Sequence, residues 1–309
     1  MRIGIIDFGT NTLRLDIFET EDESYRLVYD NAIFSGIVEN TVGNSLSQDG
    51  IEHIIQSIEE HQAVCRHYRC DRVECFSTAS LRYIDNAENI IEQVEFRSGI
   101  RITMISGDDE AKYDFKALKR VSPVKNGTGC DLGGGSFQLF TFDETGPIKS
   151  ASFPLGSSRV AKAFSKEAIP ALSEIEDIRS AVFSALSEAG FEKSGGTLLA
   201  MGGTAKTLKK LYESSLKKEG AISVSDLSVM LKLLSEEPDE SLELIEEIEP
   251  KRSRTLVPGI AVLLSIMQYM GCENIDIFSV GVREGFLESI ISGEDGGGQN
   301  ILDFILNNL

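Results

Sequence analysis

The chain is poor in the residues that build metal clusters and disulfide frameworks. Its 309 residues include only three histidines and five cysteines. The histidines, His53, His61 and His67, all fall on one predicted helix, so the sequence offers no plausible set of zinc ligands. The cysteines form no Cys-x-x-Cys pair and are odd in number, which indicates free thiols in a reducing cytoplasm.

Long apolar runs and an excess of basic residues are also missing. The longest apolar run, residues 259–267, is far too short to span a bilayer, and Asp7 would interrupt the core of a signal peptide. The 49 acidic against 30 basic residues give a net charge of −19, which repels nucleic acid backbones and anionic membranes. The composition therefore predicts a cytoplasmic globular protein that binds neither nucleic acid nor membrane.

The order of predicted elements starts again partway along the chain. Residues 1–121 read as βββαβαβα, and a turn-rich joint at residues 122–127 precedes a second run of three strands. We therefore expect two lobes, residues 1–121 and residues 122–298, the second with a helical extension. The short amphipathic tail, residues 299–309, is expected to dock back onto the body, on the first lobe.

The restart is an internal repeat that can be read residue by residue. The stretch "IGIIDFGTNTLRLDIFE" aligns with "GTGCDLGGGSFQLFTFD", and each copy reads strand, Asp-x-Gly, hydroxyl residue, strand. The alignment pairs Asp7 with Asp131, Gly9 with Gly133, Thr12 with Ser136 and Leu15 with Leu139. It predicts two equivalent β-hairpins, each with a glycine turn.

Such turns are suited to binding phosphate. A Walker loop needs Gly-Lys-Ser/Thr, and a dinucleotide-binding loop needs a helix directly after its glycines, but "SFQLFTF" alternates as a strand does. A glycine hairpin turn instead lets backbone N–H groups converge on an anion, with a nearby hydroxyl as a further donor. The predicted phosphate-binding residues of the two turns are Gly9, Thr10, Asn11, Thr12, Gly133, Gly134, Gly135 and Ser136.

The two aspartates, Asp7 and Asp131, have a different predicted role. A carboxylate repels phosphate directly but can hold Mg²⁺, which neutralises phosphate oxygens. The competing interpretation is that both aspartates only cap turns. If the repeat builds one site, residues 7–12 and 131–136 should line a cleft between the lobes.

Further segments, in this order, resemble the exopolyphosphatase/guanosine pentaphosphate phosphatase (Ppx/GppA) family. They are "DFGTNT", "STASLRYIDN", "ISGDDEA", "DLGGGS", "FPLGSSR", "MGGTAK", "VPGIAVLL" and "GVREGFL". The hairpins together with "LLAMGGTAKTLKKL" also resemble the wider actin, hexokinase and Hsp70 superfamily. The resemblance implies an α/β fold of two duplicated ribonuclease H-like (actin-like ATPase) lobes, each a mixed βββαβα sheet with flanking helices.

The resemblance also implies a hydrolase with Mg²⁺ as its cofactor. Water would attack a terminal phosphoanhydride of polyphosphate or of a phosphorylated guanosine nucleotide. Glu110 matches the family's catalytic base and Arg82 a phosphate-contacting arginine. The remaining matched phosphate-site residues are Gly202, Gly203 and Thr204. Two other interpretations stay open: Glu110 as a charge at a helix N-terminus, and Arg82 as a partner in a surface salt bridge.

The sequence departs from the family pattern at two places. The second loop continues "SFQ", with Gln138 where the family has glutamate, so an acceptor oxygen remains but no charge toward Mg²⁺. In "NAIFSG", residues 31–36, relatives tend to have a basic residue. The first departure predicts weaker activity and the second the loss of one phosphate contact. The net charge of −19 makes a long track for a polyanion less easy to build, which favours a short phosphoanhydride or the end of a polyphosphate chain.

Two other functions remain open at this point. One is a catalytically weak or inactive nucleotide or polyphosphate sensor on the same scaffold, which Gln138 supports. The other is an actin-like or sugar-kinase ATPase, although "ISGDDEA" and "STASLR" favour the hydrolase. The sequence does not choose between polyphosphate, pppGpp and other phosphoanhydrides, and a homodimer is compatible with it.

Overall fold

The structure is a computed structural model that describes residues 1–294 apart from Asn11, Glu23, Tyr83 and residues 217–219. The tail that the sequence predicts to dock, residues 299–309, lies outside the described residues. Backbone contacts divide the chain into two compact units. The first holds residues 1–110 and, of the described residues near the C-terminus, 283–294; the second holds Ala111–Val282.

The first unit is built on a five-stranded sheet in the order β3-β2-β1-β6-β7. Its elements are β1 (Arg2–Phe8), β2 (Thr12–Glu21), β3 (Ser24–Phe34), α1 (Ile37–Asn40), β4 (Thr41–Val42), β5 (Ser45–Leu46), α2 (Gln48–His67), β6 (Arg72–Ser77), α3 (Ala79–Arg82), α4 (Ala87–Ser98) and β7 (Ile102–Met104). β1, β2 and β3 are antiparallel neighbours, whereas β6 and β7 join in parallel, as helical crossovers require. The helix α5 (Gly107–Val121) follows and spans the division between the units.

The second unit repeats this arrangement on a six-stranded sheet in the order β10-β9-β8-β11-β13-β12. Its elements are β8 (Gly127–Leu132), β9 (Phe137–Asp143), β10 (Gly146–Phe153), α6 (Ser157–Phe164), α7 (Leu172–Glu188), β11 (Thr197–Met201), α8 (Gly203–Leu216), β12 (Ile222–Ser223), α9 (Val224–Glu236), α10 (Pro238–Ile248), a short 3₁₀ helix (Pro250–Arg252), α11 (Leu256–Met270) and β13 (Asn274–Ile277). The helix that follows β13, α12 (Val282–Ile291), returns to the first unit after its first residue. α11 is buried along almost its whole length and lies in the core of this unit.

The register of the two sheets confirms the internal repeat. Asp7 pairs with Arg14 on the neighbouring antiparallel strand, and Asp131 pairs with Gln138 in the same way. The two turns close with the same hydrogen bond, from Gly9 N to Thr12 O at 3.0 Å and from Gly133 N to Ser136 O at 3.0 Å. The structure thus confirms the predicted α/β fold, with two mixed sheets that carry equivalent hairpins.

Two helices, α5 and α12, pack in units other than the lobes to which the expected lobe bounds would assign them. In α5, Ala111 and Phe115 pack against Phe140 of β9, which assigns most of this helix to the second unit. In α12, the ring of Phe286 lies 4.9 Å from that of Phe76 on β6, so this helix belongs to the first unit. A helix joins whichever sheet covers its apolar face, and turn-rich segments do not report that choice.

Two expectations about the chemistry of the chain can be compared with the described residues. All five cysteines are buried free thiols, as their spacing predicts. Within the described part of the chain, no helix combines the length and apolar character that crossing a membrane requires.

Candidate functional site

The first turn follows the buried strand β1 and is fixed from two sides. The hydroxyl of Ser80, on the short helix α3, donates to the carbonyl of Phe8 just before the turn. The hydroxyl of Ser35 donates to Thr10 O at 2.7 Å from the end of β3. Thr12 is exposed at the start of β2. Buried serines thus hold the backbone on which the predicted phosphate contacts depend.

Glu110 and Arg82, which the resemblance implies as base and phosphate contact, form an ion pair in the first unit. Their side chains are only 6% and 20% exposed, so this is not a surface salt bridge. The Nε of Arg82 also donates to Ile105 O at 3.2 Å. The guanidinium is therefore oriented by two partners, the Glu110 carboxylate and the Ile105 carbonyl.

At the start of α5, Glu110 has different partners and a different exposure from the two acidic residues that precede it. The hydroxyl of Ser106 accepts from Asp109 N at 3.1 Å and donates to the Asp109 carboxylate at 2.7 Å, which is an N-terminal cap. Asp108 is exposed. Glu110 is 4% exposed and turns toward Arg82 instead. A helix-terminal role thus fits Asp109, while Glu110 has surroundings of a different kind.

Arg283, at the start of α12, is a residue of this site that the sequence analysis missed. Its guanidinium lies 2.6 Å from Asp16 Oδ2 and 3.8 Å from Asp7 Oδ2. Arg14 approaches Asp16 from the other side at 3.3 Å, and Asp16 is 2% exposed. A buried carboxylate needs such partners. The signal was the Arg-Glu-Gly motif, noted in the sequence without a role for its arginine.

The second turn is held by the N-terminus of α6. Backbone N–H groups of Ser157 and Ser158 donate to Gly133 O and Gly134 O, both at 2.9 Å. Because all peptide bonds of the chain that are described are trans, the N–H groups of Gly134 and Gly135 point away from α6. The turn therefore presents consecutive N–H groups on one side, which is the geometry of an anion-binding nest.

Gly156, which precedes α6, makes this contact possible. A Cβ at this position would lie 2.4 Å from Ser136 N and 2.5 Å from Gly134 C and O. No side chain fits there without moving the turn. The Pro-Leu-Gly motif of the sequence thus supports the turn by the close approach of two backbones.

Gln138 lies beside the turn in a polar row across the sheet. It is 4% exposed, and its Nε2 donates to Ser136 Oγ and Ser152 Oγ, both at 3.1 Å. Asp131 and Ser152 are its cross-strand neighbours, so these side chains share one face. The amide nitrogen therefore donates both hydrogen bonds. A carboxylate at this position could only accept hydrogen bonds from the two serine hydroxyls.

Asp131 lies between two glycines, Gly202 and Gly281. A Cβ on Gly202 would lie 2.5 Å from Asp131 Oδ1, and a Cβ on Gly281 would lie 3.7 Å from Oδ2. Among the described residues, no three His, Cys, Asp or Glu side chains are grouped as a metal site. Mg²⁺ commonly takes one or two carboxylates and completes its shell with water and phosphate oxygens, so a single carboxylate such as that of Asp131 is compatible with the ion.

The Gly-Gly-Thr segment, residues 202–204, lies at the start of α8 and contacts Arg252. Arg252 lies over Gly203, where a Cβ would meet its guanidinium, and its NH1 donates to Thr204 Oγ1 at 3.2 Å. Burial lowers the pKa of Arg252, and Thr204 is fully buried. The Thr204 hydroxyl thus accepts a hydrogen bond from Arg252. The phosphate contact predicted for this segment therefore depends on the backbone N–H groups of the segment.

Comparison with known proteins decides the family. A model of the Ppx/GppA phosphatase family matches residues 35–294. The chain belongs to the Ppx/GppA phosphatase family. Exopolyphosphatase 1 of Mycobacterium leprae is 24% identical over 315 residues, covering 96% of this chain and 91% of that protein. The family resemblance read from the motifs is confirmed.

Solved structures of the Ppx/GppA family confirm the fold. The Aquifex aeolicus family member matches with a TM-score of 0.81 at 22% identity, covering 96% of this chain and 99% of that one. An exopolyphosphatase from Cytophaga hutchinsonii matches with a TM-score of 0.79 at 18% identity, covering 95% and 98%. At these identities the agreement concerns the fold.

Within each unit, the structure brings several of the predicted residues together. In the first, Asp7, Gly9, Thr10 and Thr12 form one turn, and Arg82 pairs with Glu110. In the second, the glycine turn, Asp131, Gln138 and Gly202 adjoin one another. Asn11 lies outside the described residues. The roles assigned to these residues stay predictions.

Proposed function

We propose that this protein hydrolyses a terminal phosphoanhydride with the help of Mg²⁺. The observation that carries the proposal is the pair of equivalent hairpins, each closed by a 3.0 Å hydrogen bond and each preceded by an aspartate. A duplicated phosphate-type turn with a carboxylate two residues before its glycine suits a substrate with adjacent phosphates. Membership of the Ppx/GppA phosphatase family supports the same chemistry.

The proposed phosphate contacts combine backbone and side-chain donors. In the second unit, the N–H groups of Gly134 and Gly135 and the hydroxyl of Ser136 donate to phosphate oxygens. In the first, the hydroxyl of Thr12 and the guanidinium of Arg82 do so, the latter with two parallel N–H groups. Such donors stabilise charge on the transferred group, which is the main requirement of phosphoryl transfer.

Glu110 is the proposed base that orients the attacking water. Its pairing with Arg82 suggests how the base becomes available, since a phosphate that attracts the guanidinium weakens the ion pair. The carboxylate then accepts a proton from water as the P–O bond forms. Substrate binding and activation of the base are coupled in this scheme through one arginine.

Asp7 and Asp131 are the residues that would hold Mg²⁺, together with water and substrate. The ion would neutralise charge on phosphate oxygens. Arg283 lies within 3.8 Å of Asp7 and reduces the negative charge there.

The substrate class we propose is a short phosphoanhydride, either the end of a polyphosphate chain or guanosine pentaphosphate. The relatives that are named exopolyphosphatase support the first. The net charge of −19 opposes the entry of a long polyanion. The end of a chain or a single nucleotide brings fewer charges into that field.

A second candidate function is a phosphate-binding sensor with weak or no turnover. The specific observation in its favour is the buried amide of Gln138, hydrogen-bonded to Ser136 and Ser152. This arrangement is complete without a charge. A protein selected only to bind would tolerate it more readily than a metal-dependent hydrolase.

Phosphate release from polyphosphate, pppGpp and ATP, each with Mg²⁺ and with EDTA, separates these candidates when binding is measured in parallel. We expect Mg²⁺-dependent release from polyphosphate or pppGpp and little from ATP. Binding of these substrates without release in wild type would favour the sensor. Release that is equal in EDTA and in Mg²⁺ would refute the metal role, and ATP as the preferred substrate would refute the hydrolase assignment.

A further inference from the structure

Two cysteines meet at the C-terminus of α2. Cys65 lies in its last turn and Cys70 follows its end. Cys70 N donates to Cys65 O at 2.9 Å and Arg69 N to Arg66 O at 3.0 Å, with Arg69 in the left-handed region at a φ of 54°. This is the Schellman arrangement, in which the side chains at the Cys65 and Cys70 positions are brought into contact.

The sulfur atoms are close together in a space left by a glycine. A Cβ on Gly4 of β1 would lie 2.8 Å from Cys65 Sγ and 3.7 Å from Cys70 Sγ. The two neighbouring thiols also shift each other's pKa, that of Cys65 upward and that of Cys70 downward. The main-chain bond between the two residues keeps their Cα atoms within the range that a disulfide requires.

We propose that Cys65 and Cys70 are a reversible dithiol–disulfide site that a low-molecular-weight disulfide oxidises. This site is separate from the residues assigned to phosphate hydrolysis and does not depend on that assignment. It converts a contact that normally stabilises a helix end into a covalent bond across the same positions.

The chemistry begins at Cys70, which is 8% exposed, whereas Cys65 is fully buried. The hydrogen bond from the Cys65 thiol, assisted by the charge of Arg2, lowers the pKa of Cys70. The Cys70 thiolate attacks one sulfur of oxidised glutathione, breaks its S–S bond and releases one glutathione thiolate. Cys65 then loses its proton and attacks Cys70 Sγ, which forms the internal disulfide and releases the second glutathione.

The balance of this reaction is simple. Two protein thiols are oxidised and one glutathione disulfide is reduced to two glutathione molecules. The thiol pKa is raised by burial in Cys75, Cys130 and Cys272 and is raised in Cys65 as well, so Cys70 is the cysteine best suited to attack first. The reaction should therefore be selective for one pair.

The test uses the folded full-length protein in buffers of oxidised and reduced glutathione, quenched with acid and alkylated. Wild type should lose two of its five thiols and two hydrogen masses. The peptide containing Cys65 should be linked to that containing Cys70, and dithiothreitol should restore both thiols. A wild-type protein that keeps five thiols, or forms a different link, overturns the proposal.

Matched variants report the two steps separately, with circular dichroism as the check on folding. Cys65→Ser should accumulate a glutathione adduct on Cys70, because the resolving thiol is missing. Cys70→Ser should lose the reaction, and Cys272→Ser in the second unit should react as wild type. A glutathione adduct that persists in wild type as in Cys65→Ser would overturn the internal disulfide. Should a variant fail to fold, the wild-type peptide map still decides.

Discussion

The pair formed by Glu110 and Arg82 shows how much a single side chain's role depends on its surroundings. The first turn of α5 carries three consecutive acidic residues, and any of them would stabilise a helix N-terminus. Asp109 is engaged by the cap of Ser106, whereas Glu110 is buried against Arg82. This difference assigns the proposed base to one of three similar carboxylates.

Replacing Glu110 with glutamine is expected to abolish most hydrolysis and leave substrate binding nearly intact. A base acting on water contributes to the transition state, and its loss typically costs ~10²–10⁴-fold in rate. Steady-state phosphate release and calorimetric binding measure the two effects. Asp109→Asn is the matched control and should keep its turnover. Unchanged turnover in Glu110→Gln would remove this residue from the mechanism.

Replacing Gln138 with glutamate is expected to speed hydrolysis and lower the Mg²⁺ concentration for half activity. The new carboxylate would lie across the strand from Asp131 and add charge toward the metal. A gain of about 1.4 kcal/mol in the transition state corresponds to about tenfold in turnover. Kinetics over a series of Mg²⁺ concentrations measures both quantities.

The neutral variant Gln138→Met separates charge from hydrogen bonding. It removes the donors to Ser136 and Ser152 without adding charge, so it should not tighten Mg²⁺ dependence. If Gln138→Glu turns over no faster than wild type while its circular dichroism is unchanged, the missing charge does not limit this site.

At the scale of elements, α6 positions the second glycine turn through backbone contact. Gly156→Ala should displace the turn, because the added Cβ would lie within 2.5 Å of backbone atoms of Gly134 and Ser136. Overpacking of this kind costs about 1–3 kcal/mol. We expect a lower denaturation midpoint and weaker binding of phosphate substrates, measured by denaturant titration and calorimetry.

Gly281→Ala is the matched control for that experiment. Its added Cβ would lie 3.7 Å from Asp131 Oδ2, an ordinary contact, and its backbone needs no special conformation. Stability should change little. If Gly156→Ala were as stable and as active as Gly281→Ala, the close approach of α6 and the turn would not be a requirement.

The packing of α2 against β2 makes stability depend on pH. His61 is fully buried, its Nε2 lies 3.1 Å from Leu13 O, and its Nδ1 has no hydrogen-bond partner. Burial lowers the pKa of His61, so the unfolded chain takes up the proton more readily. The free energy of unfolding should be level above about pH 6.5 and fall as the pH drops through the folded pKa.

Denaturant midpoints measured across this pH range test the dependence on His61. His61→Leu should reduce the fall in stability on the acid side, because the group that takes up the proton is gone. His67→Gln, an exposed change on the same helix, should leave the fall unchanged. An identical acid slope in wild type and His61→Leu would assign the dependence to other groups.

At the scale of the whole molecule, the net charge of −19 should govern the entry of long substrates. Raising ionic strength from about 0.01 M to about 0.1 M shortens the Debye length from about 30 Å to about 10 Å and screens this repulsion. We expect the KM for long polyphosphate to fall, and the KM for tripolyphosphate to change less. Kinetics at fixed free Mg²⁺ measures both. A KM that rises with salt would indicate a local basic track.

The fold was largely predictable from local patterns. Alternating strands, the helix with Ile51, Ile54 and Ile58 on one side, and the repeat around Asp7 and Asp131 are read directly from residue order. Hairpin turns are determined by residues that are neighbours in sequence. The identity of the turn glycines and of Asp7, Asp131 and Gln138 as a related set therefore needed no tertiary information.

The sequence by itself determined the two hairpins, their aspartates and the family to which the chain belongs. Only the tertiary structure decided that Arg283 partners Asp7, that Arg252 occupies the space over Gly203, and that Arg82 pairs with Glu110. It also decided which unit receives α5 and α12. These contacts join residues far apart in the chain, and they form because buried charges and apolar faces must find partners that local sequence does not specify.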